Sequence, residues 1–179
     1  MNLGLDQRQL TAMGMVVPVC APFRLEGCPH GGDPETQPIL MRLQSDLVDL
    51  CEAALDGALE GFDVQWDPRA ALGVVMAAGG YPENYRAGDT ISGLDAAAAL
   101  PGKVFHAGTR ADGERIVTAG GRVLCAVGLG ASVGAAQSQA YRLVQAIHWN
   151  LVQYRMDIGY RAIEREGDSC AAPPPQHRR

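Results

Sequence analysis

The 179-residue sequence lacks the patterns that mark several large classes of protein. It has no apolar run near the roughly 18 residues that span a membrane, and residues 1–9 lack the basic start and apolar stretch of a signal peptide. Its net charge is −5, so it also lacks the positive field with which proteins attract nucleic acids and anionic membranes. We therefore expect a cytoplasmic protein that binds small molecules, with no nucleic-acid or membrane partner.

Familiar catalytic and metal-binding patterns are missing as well. The sequence has no Walker loop, no helical His-Glu-x-x-His and no Ser-His-Asp order, so nothing supports a hydrolase. The five cysteines are scattered without a C-x-x-C pair, which fits reduced thiols. Cys28 and His30 could supply two metal ligands, but no second pair with zinc-like spacing accompanies them. His106 and His148 are interpreted as structural, hydrogen-bonded histidines, because no nucleophile lies near them in the sequence.

Two amphipathic patterns are present and predict packed helices. Apolar residues recur every three or four positions over residues 38–59, with charged residues between them, which predicts a surface helix with one buried face. A second pattern of this kind runs to about residue 149, and Ser132 directly before it is expected to be its N-cap.

The strand patterns predict antiparallel pairing. The continuous apolar run at residues 72–78 predicts a strand buried on both faces, and residues 90–94 could add a short strand. Three strands are expected to meander through two tight turns, one at Asp112-Gly113 and one at Gly120-Gly121. Without regular β-α-β alternation, this order predicts an α+β fold in which a small antiparallel sheet packs with two main helices. The strands of the meander are expected at residues 103–109, 115–119 and 122–129.

Two further segments could bind ligands. Residues 128–134 lie where a dinucleotide fingerprint would, but the third glycine falls one residue late, so we interpret them as a tight strand-to-helix turn. Arg155, Asp157 and Arg161 form a charged cluster near a short element at about residues 158–165. The arginine fork suits phosphate or carboxylate, and the alternative is a salt-bridged helix start.

Residues 32–38 read Gly-Asp-Pro-Glu-Thr-Gln-Pro and place two carboxylates on a turn stiffened by proline. The two prolines leave Asp33 and Glu35 little backbone freedom, which suits binding of ammonium groups, sugar hydroxyls or metal ions. The alternative is that Asp33, Glu35 or Thr36 caps the helix that begins near Pro38.

These motifs together resemble the phosphoribosylamine–glycine ligase family of de novo purine synthesis, over about residues 32–166. The resemblance implies an ATP-grasp ligase in which ATP phosphorylates the carboxylate of glycine. The amine of 5-phosphoribosylamine then attacks the acyl phosphate to give glycinamide ribonucleotide, ADP and phosphate, with Mg²⁺ bridging the ATP phosphates. The blocks that carry the resemblance are residues 32–38, 45–47, 72–82, 102–109, 120–124 and 157–162.

The resemblance also assigns site residues and exposes a departure. In the family a Glu and an Asn before the turn bind magnesium; Glu26 matches the Glu, but Cys28 stands at the Asn position. Sulfur suits magnesium poorly, which argues against ATP and Mg²⁺ binding by this chain. The implied substrate-binding residues are Asp33, Glu35, Arg155 and Arg161, the implied metal ligand is Glu26, and no catalytic residue is assigned.

The sequence is expected to divide into four parts. Residues 1–31 are a divergent lead-in, 32–60 end the ATP-grasp core with a linking helix, 61–166 form the C-terminal α+β domain and 167–179 are a disordered tail. The first hypothesis is a ligase fragment that is inactive alone. The second is a non-catalytic module that completes a split ligase with a separate ATP-binding chain. The third is a free-standing nucleotide-binding protein that uses residues 128–134.

Overall fold

An antiparallel sheet with helices on both faces forms the centre of the chain. The computed structural model describes residues 36–171. None of the helices within this range is long and apolar enough to cross a membrane. In chain order the elements are α1 (Thr36–Arg42), α2 (Leu47–Leu55), a 3₁₀ turn (Leu59–Gly61), β1 (Ala70–Ala77), α3 (Leu94–Ala98), β2 (Lys103–His106), β3 (Thr109–Asp112), β4 (Arg115–Thr118), β5 (Arg122–Gly130), α4 (Val133–Ala146) and α5 (Tyr160–Ala171).

The sheet has the strand order β1-β5-β2, and both pairings are antiparallel. Strands β3 and β4 form a separate hairpin. The α+β prediction is therefore confirmed, and the strand predicted at residues 72–78 is β1.

The main core lies between this sheet and α4. Leu72, Val74 and Met76 alternate along β1, so they share one face of the sheet and are each at most 1% exposed. Leu143 and Val144 of α4 belong to the same buried cluster. The opposite face of the sheet carries a smaller cluster: Ala71, Cys125 and Val127 are buried there, with Met41 of α1 packed against them.

Glycines on β5 allow α4 to pack close to the sheet. A Cβ on Gly128 would meet the backbone of Ala136 and would lie 2.5 Å from the amide nitrogen of Ala140. A Cβ on Gly130 would lie 2.7 Å from the carbonyl carbon of Ala135. Helix backbone thus fills the space above residues 128–130, so the interpretation as a tight strand-to-helix turn is confirmed.

Ser132 is the N-cap of α4, as the sequence predicts. Its hydroxyl accepts a hydrogen bond from the Ala135 amide at 3.1 Å. The helix ends at Ala146, slightly before the predicted end near residue 149.

The single helix predicted at residues 38–59 is wrong, because the chain breaks it into α1 and α2. After Arg42 the backbone pairs with a later segment: Gln44 donates to the Gln65 carbonyl at 2.9 Å, and Asp67 donates to the Arg42 carbonyl at 2.7 Å. Asp46 then starts a new helix by accepting from the Val48 amide at 2.7 Å. Long-range backbone pairing therefore overrides a continuous helical pattern.

The predicted three-strand meander is also wrong in its pairing. The strand expected at residues 103–109 ends at His106 as β2, which pairs with β5, and after Ala107-Gly108 a new strand, β3, pairs with β4. Gly108 makes this division possible, because its hypothetical Cβ would lie 2.6 Å from the Arg122 carbonyl and 2.8 Å from Gly120 Cα. The backbone at Gly108 passes close to the backbone at Gly120, and the strand pattern in the sequence does not predict this contact.

Two smaller expectations differ from the structure. Residues 90–94 form isolated bridges, from Thr90 to Val117 and from Ser92 to His148, rather than a strand. The short element expected near residues 158–165 is α5, which continues to Ala171 and so includes the first part of the tail expected to be disordered. Residues 1–35, which include the lead-in expected at residues 1–31, and residues 172–179 lie outside the described residues.

Candidate substrate-binding segment

The arginines implied in substrate binding lie on one connection between the sheet and α5. We call residues 153–161 the arginine segment. Its first residue, Gln153, pairs with Ala77 at the end of β1 through two backbone hydrogen bonds of 2.7 and 2.9 Å. The segment is thereby fixed to the edge of the sheet at its start.

Two side chains of α4 hold the middle of the arginine segment. The Tyr141 hydroxyl donates to the Arg155 carbonyl at 2.7 Å and accepts from the Ile158 amide at 3.1 Å. Gln137, one helical turn earlier, donates to the Ile158 carbonyl at 2.7 Å. Burial raises the pKa of Tyr141, so its hydroxyl keeps the proton that it donates.

Gly159 brings the end of the segment close to the core. Its φ is +87°, a conformation that glycine adopts without steric cost, and a Cβ there would collide with the Leu72 side chain. Glu166 then fastens α5 to α4, because its two carboxylate oxygens accept from the Val133 amide at 3.0 and 2.9 Å. That carboxylate lies at the N-terminus of α4, where the helix dipole favours negative charge.

Arg155 and Asp157 form the salt bridge that the sequence left as an alternative. The guanidinium of Arg155 approaches the carboxylate of Asp157 with two nitrogens, at 2.8 and 2.7 Å. The hydrogen bond from Arg155 lowers the pKa of Asp157. Both side chains of the pair are exposed to solvent.

Arg161 is the second residue of α5 and is exposed to solvent. It donates to the Tyr160 hydroxyl at 2.8 Å, and its guanidinium carbon lies 5.5 Å from the centre of the Tyr160 ring. The aromatic ring thus orients the guanidinium while leaving it exposed. The structure accordingly presents both predicted arginines at the surface of one anchored segment.

The other predicted site residues are not tested by the structure. Asp33, Glu35, Glu26 and Cys28 lie outside the described residues. Within residues 36–171, no group of three or more His, Cys, Asp or Glu side chains is placed to hold a metal ion. His106, which the sequence suggests is structural, approaches the Thr109 hydroxyl through Nδ1 at 3.1 Å.

Sequence reasoning missed the residues that position the arginine segment. Gln137, Tyr141 and Glu166 act on partners 14 to 33 residues away in the chain. Tyr141 and Gln137 are four residues apart on one helix, which places them on one face, but nothing in the sequence says which segment that face meets.

Comparison with known proteins decides the family. The family model described as "Phosphoribosylglycinamide synthetase, C domain" matches residues 71–161. The chain belongs to this family. Its match begins in β1 and ends with Arg161, so it contains the sheet, α4 and the whole arginine segment.

Members of this family from several bacteria are close in sequence. The phosphoribosylamine–glycine ligase of Pseudomonas syringae is 62% identical over 135 residues, which cover 75% of this chain and 31% of that protein. The ligase of Vibrio cholerae is 60% identical over 135 residues, covering 75% of this chain and 32% of that protein. The chain therefore spans about a third of the length of the curated relatives that it matches.

A solved structure supports the same assignment of fold. The crystal structure of phosphoribosylamine–glycine ligase from Thermotoga maritima has a TM-score of 0.55 and 32% sequence identity to this chain. The similarity covers 70% of this chain and 30% of the Thermotoga protein. The described α+β fold is thus shared with part of the Thermotoga protein and agrees with the match to the synthetase C domain.

Proposed function

We propose that this chain is the C-terminal part of a phosphoribosylamine–glycine ligase and contributes to ATP-dependent formation of glycinamide ribonucleotide. The observation that carries the proposal is identity of 60–62% over 135 residues to proteins with that name. Because the match spans about a third of each relative, we propose that the chain alone has little or no activity.

The arginine segment is the proposed substrate contact within the described residues. The Arg155 fork already holds a carboxylate, and a phosphate of the substrate would offer equivalent acceptor oxygens to it. Arg161 is fixed by Tyr160 and reaches solvent beside the same segment. Tyr141 and Gln137 would hold the segment in place, so that little conformational freedom is lost when the substrate binds.

ATP and Mg²⁺ belong to the proposed activity of the whole ligase. Bound Mg²⁺ would neutralise the charge that develops on the ATP phosphates. Asp33 and Glu35 are the proposed substrate contacts on the proline-rich turn, and Glu26 is the proposed metal ligand. Cys28 offers magnesium a poorly matched sulfur, which supports the proposal that this chain does not bind MgATP by itself.

A split ligase is the second candidate, and the limited coverage of the relatives favours considering it. A separate chain with the ATP-binding part would supply the two thirds of the ligase that this chain does not match. Glycine and 5-phosphoribosylamine would then be shared substrates of the assembled pair.

The direct experiment measures glycinamide ribonucleotide formed from ATP, glycine and 5-phosphoribosylamine. The chain is assayed alone, after mixing with the unmatched part of the Pseudomonas syringae ligase, and as a chimera. In this chimera residues 32–166 replace the matching third of that ligase. We expect no product from the chain alone and product from the chimera. Product from the mixture supports a split ligase, whereas an inactive but folded chimera would refute the proposed function.

Arg161 provides a sharper test within the chimera. The Arg161→Gln variant removes a charged donor, whose hydrogen bonds contribute about 1.5–3 kcal/mol, so the KM for 5-phosphoribosylamine should rise about 10- to 100-fold. Arg110→Gln on the exposed strand β3 is the matched control and should leave this KM unchanged. Equal KM values for the two variants would exclude Arg161 from substrate binding.

A further inference from the structure

Helix α2 carries an apolar stripe that faces solvent. Leu47, Cys51 and Leu55 follow one another at intervals of four residues, so they lie along one line of the helix. Leu47 is 49% exposed and Leu55 is 83% exposed; Cys51 is exposed too, and Val48 beside them is 63% exposed. We call these four residues the α2 stripe.

The stripe is distinct from the side of α2 that rests on its own chain. Leu50 and Ala53 are half-buried and lie together on another side of the helix, while half-buried Ala54 lies next to Leu47. None of the nine residues of α2 is buried in the described structure. Exposed Glu52 borders the stripe beside Val48, so a surface that covered the stripe would suit an apolar centre with a basic group at that edge.

Helix α2 is shared with the relatives although it lies outside the C-domain match. A match of 135 residues in a chain of 179 cannot begin later than residue 45, so it contains the whole of α2. The C-domain match begins at residue 71. The stripe thus belongs to the part of the ligases that adjoins the C domain, and about 69% of each relative's length lies beyond what this chain matches.

We propose that the α2 stripe is a docking surface for the part of the ligase that this chain does not match, whether that part is in a longer protein or in a separate chain. This inference rests on the proposed function. A short apolar helix that borders a C domain and is uncovered on one face fits an element whose cover is supplied by the preceding part of the relatives. Burying the stripe would remove three large apolar side chains from water.

Cys51 reports directly on whether the stripe is covered, because a thiol reacts with an alkylating reagent only when it is accessible. The experiment measures its rate of alkylation by iodoacetamide, with peptide mass spectrometry to separate it from the other cysteines. The full chain and the chimera defined above are compared. We expect rapid alkylation in the full chain and alkylation slowed by about tenfold or more in the chimera.

Variants separate docking at the stripe from a general change in stability. In the chimera, Leu47→Glu and Leu55→Glu should restore rapid alkylation of Cys51. Ala111→Glu makes the same change in charge at an exposed site on a different element, strand β3, and should leave Cys51 protected. Mixing the full chain with the unmatched part of the Pseudomonas syringae ligase should protect Cys51 in the same way.

Alkylation of Cys51 and formation of product by the chimera test the docking and the proposed function separately. Rapid alkylation in a folded chimera overturns the inference, and the proposed function survives if that chimera still makes product. Protection of Cys51 in an inactive chimera supports docking and refutes the function. Slow alkylation in the full chain alone overturns the inference; deletion of residues 1–35 or dilution of the sample would then show whether the lead-in or a second copy covers the stripe. A chimera that does not fold cooperatively also contradicts it, because docking requires complementary parts.

Discussion

Helix α4 buries five of its fourteen residues, whereas helix α2 buries none of its nine. Both helices are amphipathic in sequence, and both begin with a side-chain cap, Ser132 for α4 and Asp46 for α2. The difference lies in their surroundings: α4 packs on β1 and β5, while α2 has an apolar stripe in solvent. A pattern in the sequence thus predicts that a helix has an apolar face, but it does not say which part of the protein covers that face.

The largest expected effect separates the two helices directly. Leu143 of α4 is 1% exposed in the core, so Leu143→Ala should lower the free energy of unfolding by about 2–5 kcal/mol. Leu55→Ala on α2 deletes the same atoms from a side chain that is already in solvent, so the free energy of unfolding should change by less than about 0.5 kcal/mol. Urea unfolding of the full chain measures both values, and similar losses would show that α2 is already covered.

A smaller loss of folding stability is expected when α4 loses one of its contacts with the arginine segment. Tyr141→Phe removes the hydroxyl that bonds Arg155 and Ile158 and leaves a backbone amide and a carbonyl without it, so we expect a loss of about 1–2 kcal/mol. Tyr85→Phe is the control because Tyr85 is 45% exposed, and it should change stability by less than about 0.5 kcal/mol. No loss on Tyr141→Phe would mean that the segment is held by other contacts.

The junction between α1 and β1 should give a small, pH-dependent effect. The Arg69 side chain, with its backbone amide, lowers the pKa of Asp67 from 3.8 to about 2. A carboxyl whose folded pKa is depressed stabilises the fold above pH 3.8 and loses that contribution as the pH falls toward 2. Asp67→Asn should therefore cost about 1 kcal/mol at pH 7, a modest value because Arg69 is 53% exposed.

Unfolding of wild type and Asp67→Asn is compared between pH 7 and pH 2. The two stabilities should converge as the pH approaches 2, while exposed Asp112→Asn should follow wild type throughout. A constant difference across this range would contradict the assigned role of the Asp67 carboxylate.

Local signals in the sequence predicted part of this structure and long-range contacts decided the rest. The apolar run of β1 and the cap at Ser132 are local, and both were predicted correctly. The break between α1 and α2 depends on pairing of residues 42–44 with residues 65–67, which leaves no local mark. The β3–β4 hairpin is separate from the main sheet for a related reason, because the close approach of Gly108 and Gly120 divides β2 from β3.

The candidate site shows the same division. Arg155, Asp157 and Arg161 were recognised because charged side chains cluster within seven residues of sequence. Their anchors do not follow from the sequence, because Tyr141 and Gln137 contact the arginine segment only once α4 has packed beside it. The carboxylates Asp33, Glu35 and Glu26 remain predictions from the resemblance.

The most direct test of the contrast between α2 and α4 is the stability cost of Leu55→Glu, measured by urea unfolding in two settings. In the full chain this side chain is 83% exposed, so the cost should be below about 0.5 kcal/mol. In the chimera with the Pseudomonas syringae ligase the same charge would be buried in the proposed interface, and the cost should exceed about 2 kcal/mol. An equal, small cost in both settings would show that the rest of the ligase does not cover α2.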